Sequence, residues 1–255
     1  MWQGWRVPDI RQPTLPTYTV CSVPIAAMDS SAAAARIVSD AVSRAACEVH
    51  LCNAYTLSLV DGDDEMRTAL LAGDLNLADG TPVAWLGRGV GLSGPVRGAE
   101  LVGKVATLGS GDVHHYLYGG KEGVADRMAV ELARAVPGAA VVGTECPPFR
   151  PLTDEDLSGL VDRVRASGAN VLWIGLGTPR QDYLVHHLAP LLSMPVVPVG
   201  AAFDFWSGAI KEAPRVLHGT GLEWVHRLAS EPRRLWRRYL IGNPRFLLSA
   251  WRHRR

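Results

Sequence analysis

Short apolar runs alternate along this chain with segments whose apolar positions recur every three or four residues. The run "CEVHLCNAYTL" (47–57) is strand-like, as are "HHYLYGG" (114–120), "AAVVGT" (139–144), "NVLWIGLG" (170–177) and "MPVVPVGAAFDF" (194–205). Between them lie helical patterns. "SSAAAARIVSDAVSRAA" (30–46) opens on a serine cap, "DDEMRTALLAGD" (63–74) carries acids in its first turn, and "GVADRMAVELARAVPG" (123–138) and "DEDLSGLVDRVRASG" (154–168) are amphipathic. Strands with no polar alternation are buried on both faces, so the order predicts an α/β fold: a mostly parallel sheet with helices on both sides. In such sheets ligands bind beyond the carboxyl ends of the strands, which directs attention to the residues after "HLCN", "YLYGG", "WIGLG" and "VGAAF".

Three regions follow from composition and charge. Residues 1–18 mix Pro, Trp and polar groups without a period and read as an irregular arm. Residues 19–222 hold the alternating pattern, and 223–255 form a basic appendage. Its charge is concentrated: residues 215–255 carry ten arginines against Glu223 and Glu231, while the remainder holds 16 basic against 23 acidic residues, so the net +1 conceals a polar molecule. One end is therefore suited to meet a polyanion or an anionic membrane surface, and an Arg/Trp-rich nucleic-acid-binding module is one alternative it leaves open.

If Pro232 begins a helix, a turn of about 100° per residue puts Leu235, Trp236, Tyr239 and Leu240 on one side and Arg233, Arg234, Arg237 and Arg238 on the other. Asn243-Pro244 interrupts it, and Phe246, Leu247, Leu248 and Trp251 make a second apolar patch beside Arg252, Arg254 and Arg255. This is the composition of an interfacial anchor, with Trp236, Tyr239, Leu240, Phe246 and Trp251 as lipid contacts; the plainer alternative is a terminal helix docked on the core. No window has the roughly 18 uninterrupted apolar residues of a spanning helix, and the first 20 residues lack a leader's apolar core. Four cysteines without a CxxC motif fit a reducing compartment.

Asp79, in "LADGTP", is the candidate general base: a carboxylate between an apolar run and a glycine turn is positioned to take a hydroxyl proton, although Asp-Gly also serves as a plain tight turn. "WIGLGTPRQ" ends a buried strand in a loop whose Gly177 and Thr178 backbone N–H groups suit a diphosphate; a simple strand-to-helix turn is the alternative. It lacks the third glycine of a dinucleotide fingerprint, which weighs against a nicotinamide-dependent oxidoreductase. The Asp61-Gly62-Asp63 triplet has the form of a metal-holding DxD but reads better as a helix cap, and His114 and His115 alternate across a strand and cannot share an ion.

Seven segments in order, "NAYTL", "LADGTPVAW", "GPVRGAEL", "YLYGGKEGVADR", "WIGLGTPRQ", "GAAFDFWSGAIKEAPR" and "GLEWVHRLASEPRRLWRRYLIGNPRF", resemble the WecG/TagA/CpsF glycosyltransferases (glycosyltransferase family 26) over residues 20–250. The resemblance implies a compact Rossmann-like domain with a C-terminal membrane-binding appendage. It implies inverting, metal-independent transfer of a sugar, such as N-acetylmannosamine or its uronic acid, from a UDP-sugar to a polyprenyl-diphosphate-linked saccharide on the cytoplasmic face of the membrane. The products would be wall teichoic acid linkage units, enterobacterial common antigen or capsular and exopolysaccharides. It places the base on Asp79, a cleft asparagine on Asn53, a glutamine on Gln181, an edge arginine on Arg97, and donor-binding arginines on Arg227, Arg234 and Arg237. No cofactor, no metal and no nucleic-acid partner is implied, and self-association is compatible. Leu51 stands where the family often has Thr, Glu100 where it often has Asp, and Cys146 to Phe149 replace a Gly-Tyr-Phe loop ending, which bears on sugar identity.

Overall fold

The structure, a computed structural model, describes residues 15–148, 150–210 and 223–253, with the side chains of Glu223, His226 and Arg234 outside the description. Eight strands form one sheet: β1 (Thr17–Val20), β2 (Val23–Ala26), β3 (Cys47–Cys52), β4 (Leu75–Ala78), β5 (His114–Gly119), β6 (Ala140–Glu145), β7 (Val171–Gly175) and β8 (Pro195–Pro198). Their spatial order is β1-β2-β4-β3-β8-β7-β5-β6, and every pair except β1 with β2 is parallel. The core helices are α1 (Ser30–Val42), α2 (Ala54–Leu59), α3 (Asp64–Ala72), α4 (Thr81–Leu86), α5 (Gly98–Leu108), α6 (Val124–Ala135), α7 (Asp154–Ala166), α8 (Arg180–Leu188) and α9 (Ala202–Trp206). Three more close the chain: α10 (Glu223–Ser230), α11 (Pro232–Leu240) and α12 (Gly242–Arg252).

Period-two alternation within the central strands divides the core. Val171 and Trp173 of β7 face the layer of α1, α5, α6 and α9, whereas Leu172 and Ile174 face α7 and α8. A third cluster joins the β1–β2 hairpin to α2, α3 and α4. This is the expected Rossmann-like α/β arrangement with both faces covered.

Local chemistry explains where the elements begin. Asp29, not a serine, caps α1, its Oδ1 accepting from the backbone N–H of Ser31 at 2.9 Å and of Ala32 at 2.8 Å. Asp63 caps α3 through Met66 N–H at 3.0 Å, and Thr153 with Asp156 closes a capping box on α7. Three expectations change. The strand expected through residue 57 ends at Cys52, because Asn53 caps a helix and residues 54–59 turn into α2. Residues 17–26 fold into a hairpin turned at Cys21 and Ser22, both at positive φ (51° and 65°), where an irregular start was expected through residue 18. The "MPVVPVGAAFDF" strand stops at Pro198, and 202–206 turn into α9 because Gly175 leaves room for it: a Cβ there would lie 2.4 Å from Phe203.

The appendage packs on the core rather than standing away from it. Leu235 of α11 and Phe246 of α12 are each 3% exposed, Phe246 joins the third core cluster, and α12 lies along α2. Burying two such side chains contributes roughly 1.5–3 kcal/mol each. Asn243-Pro244, expected to interrupt the first helix, instead forms the opening turn of α12, where proline's missing N–H costs nothing. Among the described residues no helix is long and apolar enough to cross a membrane.

Candidate active site

Parallel pairing brings the carboxyl ends of β3, β4, β7 and β8 to one edge, and residues just beyond each strand line a single cleft of about 840 Å³, counting its open mouth. Asn53 follows β3 and caps α2, its Oδ1 accepting from the backbone N–H of Tyr55 at 3.0 Å and Thr56 at 3.1 Å. Those bonds fix the amide, so its Nδ2 points at Asp79 and donates to Oδ2 at 3.3 Å. Asp79 follows β4 and continues the sheet ladder through its backbone N–H to Cys52 O at 3.0 Å.

Burial pushes the Asp79 carboxyl above its usual range; the Asn53 hydrogen bond and then the charges of Arg238, Arg227 and Arg97 pull the other way. A half-buried carboxylate held by one amide, with its remaining oxygen surface toward the cleft, is the geometry of a proton acceptor. The three arginines come from separate places: Arg97 precedes α5, Arg227 lies on α10 over the Phe205 ring (5.3 Å), and Arg238 lies on α11 over the Tyr55 ring (5.3 Å). Burial, with the neighbouring Arg227 as a lesser cause, lowers Arg238, while Tyr239, Asp79 and Tyr55 offset part of that shift; an anion entering the cleft would offset more.

Beyond β7, Gly177 and Thr178 also line the cleft, but the Gly177 N–H is already engaged, donating to the buried Gln181 Oε1 at 2.9 Å. Gln181 thus pins the glycine turn, and the expectation that Gly177 offers its N–H to a ligand is not met in this state. Thr178 Oγ1 lies 3.4 Å from Thr56 Oγ1, tying the turn to α2.

The cleft therefore gathers Asn53, Asp79, Arg97, Gly177, Thr178, Gln181 and Arg227, all singled out from sequence. Arg237 is elsewhere: it is exposed and lies 5.2 Å over the Trp236 ring. The side chain of Arg234 lies outside the described residues. Arg238 was the arginine not anticipated for the cleft, although helical geometry contains the signal, since it stands three residues after the buried Leu235 on the inward stripe.

The interfacial residues divide as well. Trp236 (43% exposed), Leu240 (60%) and Trp251 (68%) are on the surface with Leu247 and Leu248. Tyr239 instead packs its ring against Trp224, with centroids 5.6 Å apart, and Phe246 is core; neither is presented to a bilayer in this conformation, because α11 and α12 turn those positions inward.

Other candidates resolve into packing. Asp61 pairs with His253 at 3.1 Å, Asp63 caps α3 and receives the Tyr183 hydroxyl, and His115 is buried, accepting from Trp173 Nε1 at 2.9 Å; burial pushes His115 down to about 4, which keeps it neutral. Cys21, Cys47, Cys52 and Cys146 are all free thiols.

A mostly parallel sheet with a carboxylate and three arginines at its carboxyl edge defines an α/β protein equipped for proton transfer beside an anionic ligand. The model of the glycosyl transferase WecG/TagA/CpsF family matches residues 18–255, nearly the whole chain, and the chain belongs to that family. It is a glycosyltransferase, which sets aside the oxidoreductase and nucleic-acid readings of its glycine turn and basic end.

Proposed function

We propose that this glycosyltransferase moves a hexose-type residue, N-acetylmannosamine or a related sugar or uronic acid, from a UDP-sugar to a polyprenyl-diphosphate-linked saccharide in cell-envelope or exopolysaccharide synthesis, with inversion and without a metal. The observation that carries the reading is the Asn53-oriented, half-buried Asp79 facing three arginines across one cleft.

In a single displacement, the acceptor hydroxyl oxygen bonds to the anomeric carbon as the bond from that carbon to the diphosphate oxygen breaks. The hydroxyl proton passes to Asp79, and the bonding electrons leave on UDP. Arg97, Arg227 and Arg238 meet the growing charge as fixed donors, a service that is strongest where water is scarce. Gln181 holds the glycine turn in place beneath the donor. Leu51, buried at the cleft, and Glu100, paired with Lys104 at 2.9 Å, are the positions through which sugar choice would differ from relatives carrying Thr and Asp.

The exposed Trp236, Leu240, Leu247, Leu248 and Trp251, with Arg237, Arg245 and Arg252 beside them, support peripheral attachment to the inner face of the cell membrane, where a lipid-linked acceptor is found. The reading is tested with a panel of UDP-sugars and a short-chain polyprenyl-diphosphate-sugar acceptor. Transfer of one sugar with release of UDP is expected, and failure of every UDP-sugar, with no UDP binding, overturns it.

A further inference from the structure

A second recess, about 690 Å³ with its mouth, meets the first cleft at Asn53 and Asp79. Its chemistry differs. The first is walled by glycine turns after β7 and β8 and by Gln181, a lining that lets backbone approach a ligand closely. The second is walled by three aromatic rings from three helices: Tyr55 of α2, Trp224 of α10 and Tyr239 of α11. The Trp224 and Tyr239 rings stand at 45° to each other with centroids 5.6 Å apart, and the Tyr55 ring carries Arg238 on one face at 5.3 Å. Arg227 and Arg238 line both spaces and form the partition between them. Asp79 is the one carboxylate lining either, among the described residues.

An inverting displacement needs its base at the meeting point of two ligands, because the hydroxyl attacks the anomeric carbon from the side opposite the leaving group. A carboxylate shared by two unlike recesses meets that need. A sugar ring presents flat C–H faces that pack on aromatic faces, while a diphosphate wants arginines and walls without side chains that let it approach them. One wall of the aromatic recess is made by Trp224 and Arg227 of α10 and by Arg238 and Tyr239 of α11, the helices contiguous with the exposed apolar surface of α12, so its ligand can arrive from that side.

We infer that the aromatic recess is the acceptor subsite: Tyr55, Trp224 and Tyr239 hold the face of the acceptor's terminal pyranose with one hydroxyl at Asp79, and the donor occupies the glycine-walled cleft. This rests on the proposed function for the identity of the two ligands.

The test is calorimetric binding of two probes, UDP and a short-chain polyprenyl diphosphate bearing one N-acetylhexosamine, to wild type, Trp224→Ala, Tyr55→Ala and Trp224→Phe, each checked for a folded melting transition. Loss of one ring contact is expected to weaken the lipid-linked sugar about five- to tenfold, corresponding to about 1–1.4 kcal/mol, with UDP affinity unchanged in Trp224→Ala and with Trp224→Phe close to wild type; Tyr55→Ala, whose ring also carries Arg238, is read on the acceptor probe alone. Weakened UDP with unchanged acceptor affinity would place the nucleotide in the recess and overturn the inference while leaving the donor class intact. Unchanged binding of both probes also overturns it. A wild type that binds the acceptor probe through these rings but not UDP would overturn the UDP-sugar reading and leave the recess standing, and one that binds neither overturns both.

Discussion

Arg237 and Arg238 adjoin in sequence and part in space: the first lies over the exposed Trp236 ring at 5.2 Å, the second over the Tyr55 ring at 5.3 Å inside the cleft. Successive residues on a helix diverge by about 100°, so one turn of α11 serves the surface and the site at once. Arg238→Gln is expected to lower turnover by about 10²–10³-fold, the effect of removing one preorganised charge-stabilising donor. Arg237→Gln, at an exposed position, is expected to change it by about twofold at most. Steady-state transfer to a short-chain acceptor in detergent measures both, and a larger loss at Arg237 would contradict the arrangement.

Asp79→Asn is expected to cut turnover by about 10²–10⁴-fold, since it removes the proton acceptor. The fold should not suffer. Burial raises this carboxyl in the folded state, so the folded chain holds a proton that the unfolded chain has lost, and stability from this group declines as pH rises from the usual carboxylate value of 3.8 through the raised one. The amide carries no such charge. At pH 7 the variant's Tm should equal or exceed that of wild type, and the acid limb of the wild-type kcat/KM profile should lie above the usual carboxylate range. Retained turnover in Asp79→Asn removes this residue as the base.

His50 on β3 is fully buried between two carboxylates, Asp182 Oδ1 at 3.3 Å and Glu48 Oε1 at 3.0 Å; Glu48 also meets His186 at 3.0 Å. Burial opposes its charge, but the bonds to Asp182 and Glu48 prevail and raise it above its ordinary 6.5. Its contribution to stability is therefore complete below 6.5 and is lost as pH rises through the raised value. Burial likewise opposes the charge of Glu48, but its bonds to the histidines prevail and hold it below 4.5, so its contribution is complete above that value and is lost as pH falls through the lowered one. His50→Gln removes the charged partner of the fully buried Asp182 and leaves Glu48 with His186 alone, and is expected to cost about 3–5 kcal/mol. Urea melts from pH 5 to 9 check this: the gap between wild type and variant should narrow with rising pH.

Neighbouring residues on α12 separate attachment from folding. Leu247→Ser with Leu248→Ser and Trp251→Ser is expected to abolish binding to anionic phospholipid vesicles while leaving Tm within a few degrees, because all three are exposed. Phe246→Ala, one residue away and 3% exposed, is expected to cost about 3–5 kcal/mol and to leave vesicle binding by the folded fraction unchanged. Vesicle sedimentation with parallel thermal melts distinguishes them.

The parallel sheet was legible because β7 is apolar without alternation, and Asp79 was legible because a carboxylate between an apolar run and a glycine turn can be located in sequence; Asn53 and Gln181 came from the resemblance to the family, since β3 alternates with Glu48 and His50 and gives no such end signal. The β1–β2 hairpin was not legible. Its Cys21-Ser22 turn lacks the Asn-Gly or Asp-Gly pair that ordinarily supplies two positive φ angles, and only tertiary packing of Val20, Val23 and Ile25 supports it. The appendage was read correctly as helical and incompletely as to direction. Periodicity says which residues share a face, but which face meets the core depends on packing. Here the inward stripe is Leu235, Arg238 and Tyr239, narrower than the apolar half-turn that also took in Trp236 and Leu240.

The pairing of β3 with β8 has a consequence for the chain's own synthesis. Cys47 pairs with Pro195 and Glu48 with Val196, contacts that close a loop of nearly 150 residues at the centre of the sheet. Contacts of such long separation form late and slowly. A chain emerging from the ribosome therefore carries His50 and Glu48 without Asp182 or His186, and Asn53 and Asp79 without Gln181, until its last strand is made. The ion network and the cleft are therefore completed late: the first when α8 brings Asp182 and His186, the second only when α10 and α11 bring Arg227 and Arg238.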